Sequence, residues 1–233
     1  MDRESNNVTT GKIVLSMISL LLCPASVLFL SGDWFWVEGW IFGIWFTTLS
    51  YLSMLYLIRK DPGLLAERFR KPGTGNEEPW DRYVVYALML GFMAWLVLMP
   101  LDAKRFRWTA AFPLWLKVCG GIALLPSFFL LYRSYTDNPF VSPLVRIQAE
   151  RKQRVVSTGV YGFVRHPMYL GAILMMLGTP LLLGSRYGAL VGTALTLLLA
   201  ARIVGEEKML ARELDGYEEY TKKVKYRLVP FVW

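Results

Sequence analysis

The sequence predicts an all-α integral membrane protein of about six transmembrane helices, ending in a helical hairpin and a polar helical tail. Three observations predict it. Of 233 residues, 55% are hydrophobic and the mean hydropathy is +0.37, against roughly 45–50% apolar content in soluble domains. Apolar runs recur at about the 20-residue length a helix needs to cross a bilayer. Between those runs the chain is basic, with a net charge of +8.

The runs follow in order. Ile13–Leu30 comes after a polar start, Met1–Lys12, and is too long for the apolar stretch of a signal peptide, so it reads as a retained helix. Trp40–Ile58 is the second run, and Trp34, Trp36 and Trp40 at the turn before it suit a bilayer interface. A polar loop follows, bounded by Asp61-Pro62-Gly63 and Lys71-Pro72-Gly73, with a short amphipathic helix expected over Leu64–Arg70. Val84–Leu101 is the third run. Leu114–Tyr132 is the fourth, interrupted only by Lys117, and Asn138-Pro139-Phe140 breaks it. Met168–Leu183 and Tyr187–Ala201 are the fifth and sixth. The turn Gly184-Ser185-Arg186 between them is so short that the two must be antiparallel. No internal repeat is visible.

Charge orients these spans. With the N-terminus in the cytosol, the Lys and Arg residues fall on the cytosolic side except Lys104, Arg105, Arg107, Arg186 and the intramembrane Lys117. Both termini and segment Val145–Val164 are therefore expected to be cytosolic. The basic balance is accounted for by topology and contact with anionic membrane lipids, and implies no nucleic acid. Cys23 and Cys119 sit within apolar runs as packing residues. With a single histidine in the chain, no metal site is expected. Asn7-Val8-Thr9 fits a glycosylation sequon.

Residues 1–137 read as a four-helix transmembrane scaffold and 138–233 as the part that carries chemistry. The densest segment runs from Gly159 through Tyr161, Arg165, His166, Pro167, Met168 and Tyr169 to Gly171. Pro167 suits a first helical turn, which leaves the helix N-terminus ready for an anion or carboxylate. Arg202 and Glu206 lie four apart on the continuing sixth helix and share a face. As a surface ion pair they would contribute little. At the end of a membrane helix, ionisable groups serve a site or a water-filled cavity. Antiparallel connectivity therefore brings Arg165, His166 and Tyr169 to face Arg202, Glu206 and Glu207. Gly188, Gly192, Thr196 and Ala200 recur every fourth residue, a small-residue face for the fifth helix. A homodimer interface is the alternative use of that face, so monomer and homodimer both stay open.

These residues resemble the isoprenylcysteine carboxyl methyltransferase family with its bacterial relatives and, more distantly, the phospholipid methyltransferases. The matching pieces are Gly159-Val160-Tyr161, Arg165-His166-Pro167-Met168-Tyr169-Leu170-Gly171, Glu206-Glu207, Tyr217-Glu218-Glu219-Tyr220 and Val229-Pro230-Phe231. Asn138-Pro139-Phe140 and Val145-Arg146-Ile147-Gln148 look like the bacterial branch. Val160 departs from it, since many relatives carry proline there. The resemblance implies a cytosolic S-adenosylmethionine site capped by the C-terminal segment and a lipophilic acceptor arriving from the bilayer. It implies that Tyr161, His166, Met168, Tyr169, Glu206 and Glu207 bind the cofactor, and that Arg165 and Arg202 are catalytic, holding an acceptor carboxylate. The acceptor itself stays open among a prenylated cysteine, a phospholipid amine and another lipid.

No Gly-x-Gly-x-x-Gly fingerprint follows a strand, which argues against a soluble dinucleotide-type cofactor domain. A membrane sterol or steroid reductase using NADPH is the competing enzyme, with Arg151, Lys152 and Arg154 for the extra phosphate. The paired glutamates suit a sulfonium better than a polyanion. A non-enzymatic membrane scaffold is the third reading.

Overall fold

The computed structural model describes residues 8–73 and 75–233. Asn7 of the sequon and Arg3 of the N-terminal basic segment lie outside these. Among the described residues there is no strand, and the helices are α1 (Thr10–Ser31), α2 (Val37–Lys60), α3 (Pro62–Arg68), α4 (Asp81–Pro100), α5 (Leu114–Asp137), α6 (Pro167–Leu183), α7 (Arg186–Glu213) and α8 (Tyr217–Lys223). The chain is an all-α integral membrane protein. Five helices are long and apolar enough to cross a membrane: α1, α2, α4 with its following π turn, α5 and α7. The fifth expected span, α6, has 17 residues, about 25 Å of helix against a hydrocarbon core of about 30 Å.

Local chemistry sets the boundaries. Asp61 starts α3 by accepting from Leu64 N at 2.8 Å, with Pro62 in the first turn. Ser185 starts α7, its Oγ accepting from Gly188 N at 2.9 Å. Pro167 opens α6, and Gly184, at φ +79°, closes it. The expected sixth span stops at Ala201, but α7 continues to Glu213 without a break. Its residues after Ala201 are mostly good helix formers, and nothing ends the helix before Leu214, just ahead of the left-handed Gly216. At 28 residues it is about 42 Å long, so Arg202, Glu206 and Glu207 ride on one rigid helix that projects past the apolar layer.

The core lies between α1, α2, α4, α6 and α7, around the fully buried Trp36, Phe42, Trp95, Met99 and Leu183. Helices α5 and α6 meet backbone to backbone. A Cβ on Gly120 would strike Leu182 N and Gly178 O, and Ser127 Oγ donates to Gly171 O at 2.7 Å. The small-residue face of α7 does pack on α6, where Gly192 abuts Met176 O. It also serves α4, because Gly188 sits against Met99 as well as Pro180. Both glycines are buried within the single chain.

At the end of the bundle away from the α6 N-terminus, two of the basic residues that the charge rule left unexplained have acidic partners. Lys104 pairs with Asp33 at 2.9 Å and lies over the Trp36 ring. Lys117 pairs with Glu38 at 2.6 Å. Buried Asp102 accepts from Thr109 N, Thr109 Oγ1 and Ser185 Oγ, fastening the loop before α5 to the turn of the hairpin. Paired, these charges cost far less to hold near the membrane than isolated ones would.

Candidate active site

At the opposite end a cavity of about 410 Å³ opens among α4, α6, α7, α8 and the 138–156 loop, within the roughly 300–1,000 Å³ of small-molecule sites. Its walls differ in character. Val85, Leu88, Met89 and Phe92 of α4, with Ala172, Met176 and Leu199 of the hairpin, form an apolar side. The α6 N-terminus, the end of α7 and the loop supply the polar side.

Two buried ionic groups organise the polar side. In the first, Arg202 donates Nε to Asp81 Oδ1 at 2.7 Å and Nη2 to Asp81 Oδ2 at 2.9 Å, a bidentate pair. Asp81 is fully buried and also accepts from Val145 N at 2.7 Å. Arg202 further donates Nη2 to Pro143 O and Nη1 to Tyr169 Oη at 3.0 Å, and Tyr169 donates to Glu206 Oε2 at 2.5 Å. A relay of four side chains thus runs from α4 to α7 and α6 and back to α7.

Glu207 anchors the second group. Its Oε1 accepts from Arg165 Nε at 2.6 Å and lies 3.2 Å from His166 Nε2, while Oε2 accepts from Arg227 Nε at 2.6 Å. Arg165 Nη1 donates to the Val224 and Lys225 carbonyls. The backbone N–H groups of Arg165 and His166 donate to Tyr226 O and Arg227 O, both at 2.9 Å. The C-terminal tail is therefore strapped across the start of α6 through the Arg165–Glu207–Arg227 cluster.

The loops at this end of the bundle are held by a third pair. Arg146 donates Nε and Nη2 to the two oxygens of Glu67 at 2.9 and 2.7 Å, and both side chains are buried. Burial pushes the Glu67 carboxyl up, but hydrogen bonds from Arg146 and Ser142 outweigh it and hold the group below its ordinary range. Gly159 has a positive φ of 58° and approaches the Asp137 carboxylate too closely for a side chain, while Val160 N donates to Asp137 Oδ2 at 3.0 Å. That contact fixes the short turn carrying Tyr161, which burial keeps protonated by raising its phenol.

The structure brings the residues singled out from sequence to one end of the hairpin. Tyr161, Arg165, His166, Met168, Tyr169, Arg202 and Glu206 line the cavity. Glu207 stands behind that wall, with both oxygens engaged by the chain's own cations. The two arginines are also partly committed. Among the described residues, one of the five N–H groups of Arg202, on Nη1, has no partner, and Nη2 of Arg165 makes no hydrogen bond. Neither offers a whole guanidinium fork to a ligand. Sequence reasoning missed Asp81 and Glu67, the partners of Arg202 and Arg146, and missed Arg227 of the tail.

Residues 142–212 match the Isoprenylcysteine carboxyl methyltransferase (ICMT) family. The Schizosaccharomyces pombe protein-S-isoprenylcysteine O-methyltransferase is 25% identical over 231 residues, covering 91% of this chain and 94% of its own. Over this segment the chain is similar to the isoprenylcysteine carboxyl methyltransferase family. The similarity is thus to methyltransferases, and the matched segment holds Arg146, Arg165, His166, Tyr169, Arg202, Glu206 and Glu207. Arabidopsis thaliana protein-S-isoprenylcysteine O-methyltransferase B is 27% identical over 146 residues, 62% of this chain and 70% of its own. A second kind of relative is present. Mus musculus Delta(14)-sterol reductase TM7SF2 is 32% identical over 107 residues, which is 44% of this chain but 25% of the reductase.

Proposed function

We propose that the protein transfers a methyl group from S-adenosylmethionine to the carboxylate of a lipophilic acceptor, a prenylated cysteine or a lipid of similar form. The observation that carries this reading is the division of charge around the cavity. The relay Asp81–Arg202–Tyr169–Glu206 holds two carboxylates against one guanidinium, an excess of one negative charge. The cluster around Glu207 holds two guanidiniums against one carboxylate, an excess of one positive charge with the histidine counted neutral. A cationic donor suits the first and an anionic acceptor the second.

The residues fit the cofactor. Glu206 meets a cation or a ribose hydroxyl, Tyr169 bonded to it packs edge to face with His166, and aromatic faces favour cations. When bound, S-adenosylmethionine supplies a methyl group on a sulfonium. An ionised carboxylate needs no general base to accept it, so this chain's part is alignment and exclusion of water. Arg165 Nη2 and the remaining N–H of Arg202 orient the acceptor oxygens. Asp81 and Glu207 fix where those guanidiniums point. The apolar α4 side takes the lipid chain at bilayer depth.

In this reading residues 138–233 form the methyltransferase core on a scaffold of residues 1–137, the latter contributing Asp81 and the apolar wall. Both termini and the site face the cytosol, the side that supplies the cofactor, in accord with the charge distribution. The test is transfer of labelled methyl from S-adenosylmethionine to a farnesylated cysteine analogue by the purified protein. The expected product is a base-labile ester. A protein that leaves this acceptor unlabelled but is thermally stabilised by NADPH and not by S-adenosylhomocysteine would refute the proposal.

A further inference from the structure

Helix α8 places two tyrosines side by side, and the structure uses them differently. Tyr217 and Tyr220 are equally buried, their rings 5.8 Å apart, and both line the cavity. Tyr220 Oη donates to Tyr161 O at 2.8 Å, tying α8 to the turn before α6. Tyr217 Oη has no hydrogen-bond partner among the described residues. Among the described residues four other buried side-chain polar atoms share that condition, on Ser53, Arg70, Trp95 and Thr179, and none of those residues lines the cavity.

A buried hydroxyl without a partner is costly, and such groups call for an explanation. Helix placement gives Tyr217 no freedom to escape, because α8 follows the left-handed Gly216 and Tyr217 N is bonded to Leu214 O. Against the cluster of Tyr217, Tyr220 and Val224, Leu210, Leu214 and Val155 pack an apolar wall, and both leucines and the valine line the cavity too. The surroundings are those a flat heteroaromatic group prefers: apolar faces with one polar atom at the edge. Burial, with Glu207 and Glu206 nearby, keeps the phenol protonated, so it acts as a donor.

We infer that Tyr217 is a ligand-binding residue whose hydroxyl donates to an acceptor atom on the nucleoside end of the methyl donor, a ring nitrogen or a ribose oxygen, against the Leu210–Leu214–Val155 wall. The inference rests on the methyl-transfer reading and adds a cofactor contact on α8 to those on the hairpin. It separates the two α8 tyrosines into one that holds the protein together and one that holds the ligand.

The test is binding of S-adenosylhomocysteine, and of adenosine alone, to the purified full-length protein and its Tyr217→Phe and Tyr220→Phe variants. Tyr217→Phe removes only the unpartnered hydroxyl. It should leave the ligand-free unfolding temperature unchanged or raised, while weakening both ligands about three- to tenfold. Tyr220→Phe loses a bond inside the protein and should unfold at a lower temperature without ligand. Equal ligand affinities for Tyr217→Phe and the unchanged protein would overturn the inference while leaving methyl transfer standing. So would a ligand-free destabilisation of Tyr217→Phe matching that of Tyr220→Phe. If the unchanged protein fails to bind S-adenosylhomocysteine, the methyl-transfer reading falls, and this contact with it.

Discussion

Asp81→Asn is the most informative single change. Asp81 is fully buried, and its two oxygens accept from Arg202 Nε, Arg202 Nη2 and Val145 N. Asparagine keeps the shape but removes the charge and turns one acceptor into a donor that faces a guanidinium. Arg202 cannot turn to water, because its side chain is 8% exposed. Removing one partner of such a buried pair typically costs about 3–5 kcal/mol, most of it the penalty for the charge left behind. At roughly 2–4 °C per kcal/mol for a chain of this size, the unfolding temperature should fall by roughly 6–20 °C. Thermal unfolding of the detergent-purified protein measures it. A double variant, Asp81→Asn with Arg202→Gln, leaves no buried charge and should recover a large part of the loss, a coupling that a double-mutant cycle isolates. A double variant no more stable than Asp81→Asn alone would refute the claim that the pair is energetically one unit. Both variants should lose methyl transfer, since Arg202 is unheld in one and absent in the other.

The remaining predictions address the two charged groups and the loop pair. Arg165→Lys keeps charge but loses the Nε bond to Glu207 and the fork on the tail carbonyls. Turnover should drop about 10²-fold, with S-adenosylhomocysteine affinity little changed in the same preparation. Glu206→Gln should reverse the pattern, weakening the cofactor before the acceptor. Glu67 has a folded-state value below its ordinary 4.5. Its contribution to stability is therefore full above about pH 4.5 and is lost as pH falls through the lower folded value. Glu67→Gln should lower the unfolding temperature at pH 7 and flatten the acid limb of a stability–pH profile below pH 4.5. An acid limb identical to that of the unchanged protein would show that Glu67 is not the group titrating.

How much of this was legible in sequence follows from range. Apolar runs, the prolines at residues 62 and 167 and the glycine at 184 are local signals, and they placed the membrane helices to within a few residues. The charge at Arg202 marked the end of the sixth apolar span at Ala201, and α7 runs on past it to Glu213, as the shared face of Arg202 and Glu206 requires. Convergence of Arg165, His166 and Tyr169 on Arg202, Glu206 and Glu207 was legible because a two-helix hairpin with a short turn permits one arrangement. Asp81 was not legible. It lies 121 positions from Arg202, and an acidic residue at a helix start has a sufficient local explanation in the helix dipole. Glu67, 79 positions from Arg146, hid in a loop of mixed charge for the same reason. The α5–α6 contact through Gly120 and Ser127 of α5 and Gly171 and Gly178 of α6 was equally silent, because small residues seven apart make only a sparse pattern on each helix.

The similarity to sterol reductases makes the charge division more telling. It covers 44% of this chain and only a quarter of the mouse reductase, whereas the Schizosaccharomyces pombe methyltransferase aligns over 91% of this chain and 94% of its own. Shared frame does not fix chemistry, so the distinction must come from groups facing the cavity. A phosphorylated dinucleotide would need cations there. Of the three bases that sequence offered for that task, Arg151 is spent on Asp61 Oδ1, Gln148 Oε1 and Pro139 O. Lys152 does not line the cavity, which leaves Arg154. Arg165, the other strongly placed cation, is already drawn to Glu207 and the tail. Glu206 meanwhile presents a carboxylate that a polyanion would have to approach. Electrostatic cost therefore opposes a dinucleotide phosphate in the part of the cavity that favours a sulfonium, and the same residues that form the family's match to this chain impose it.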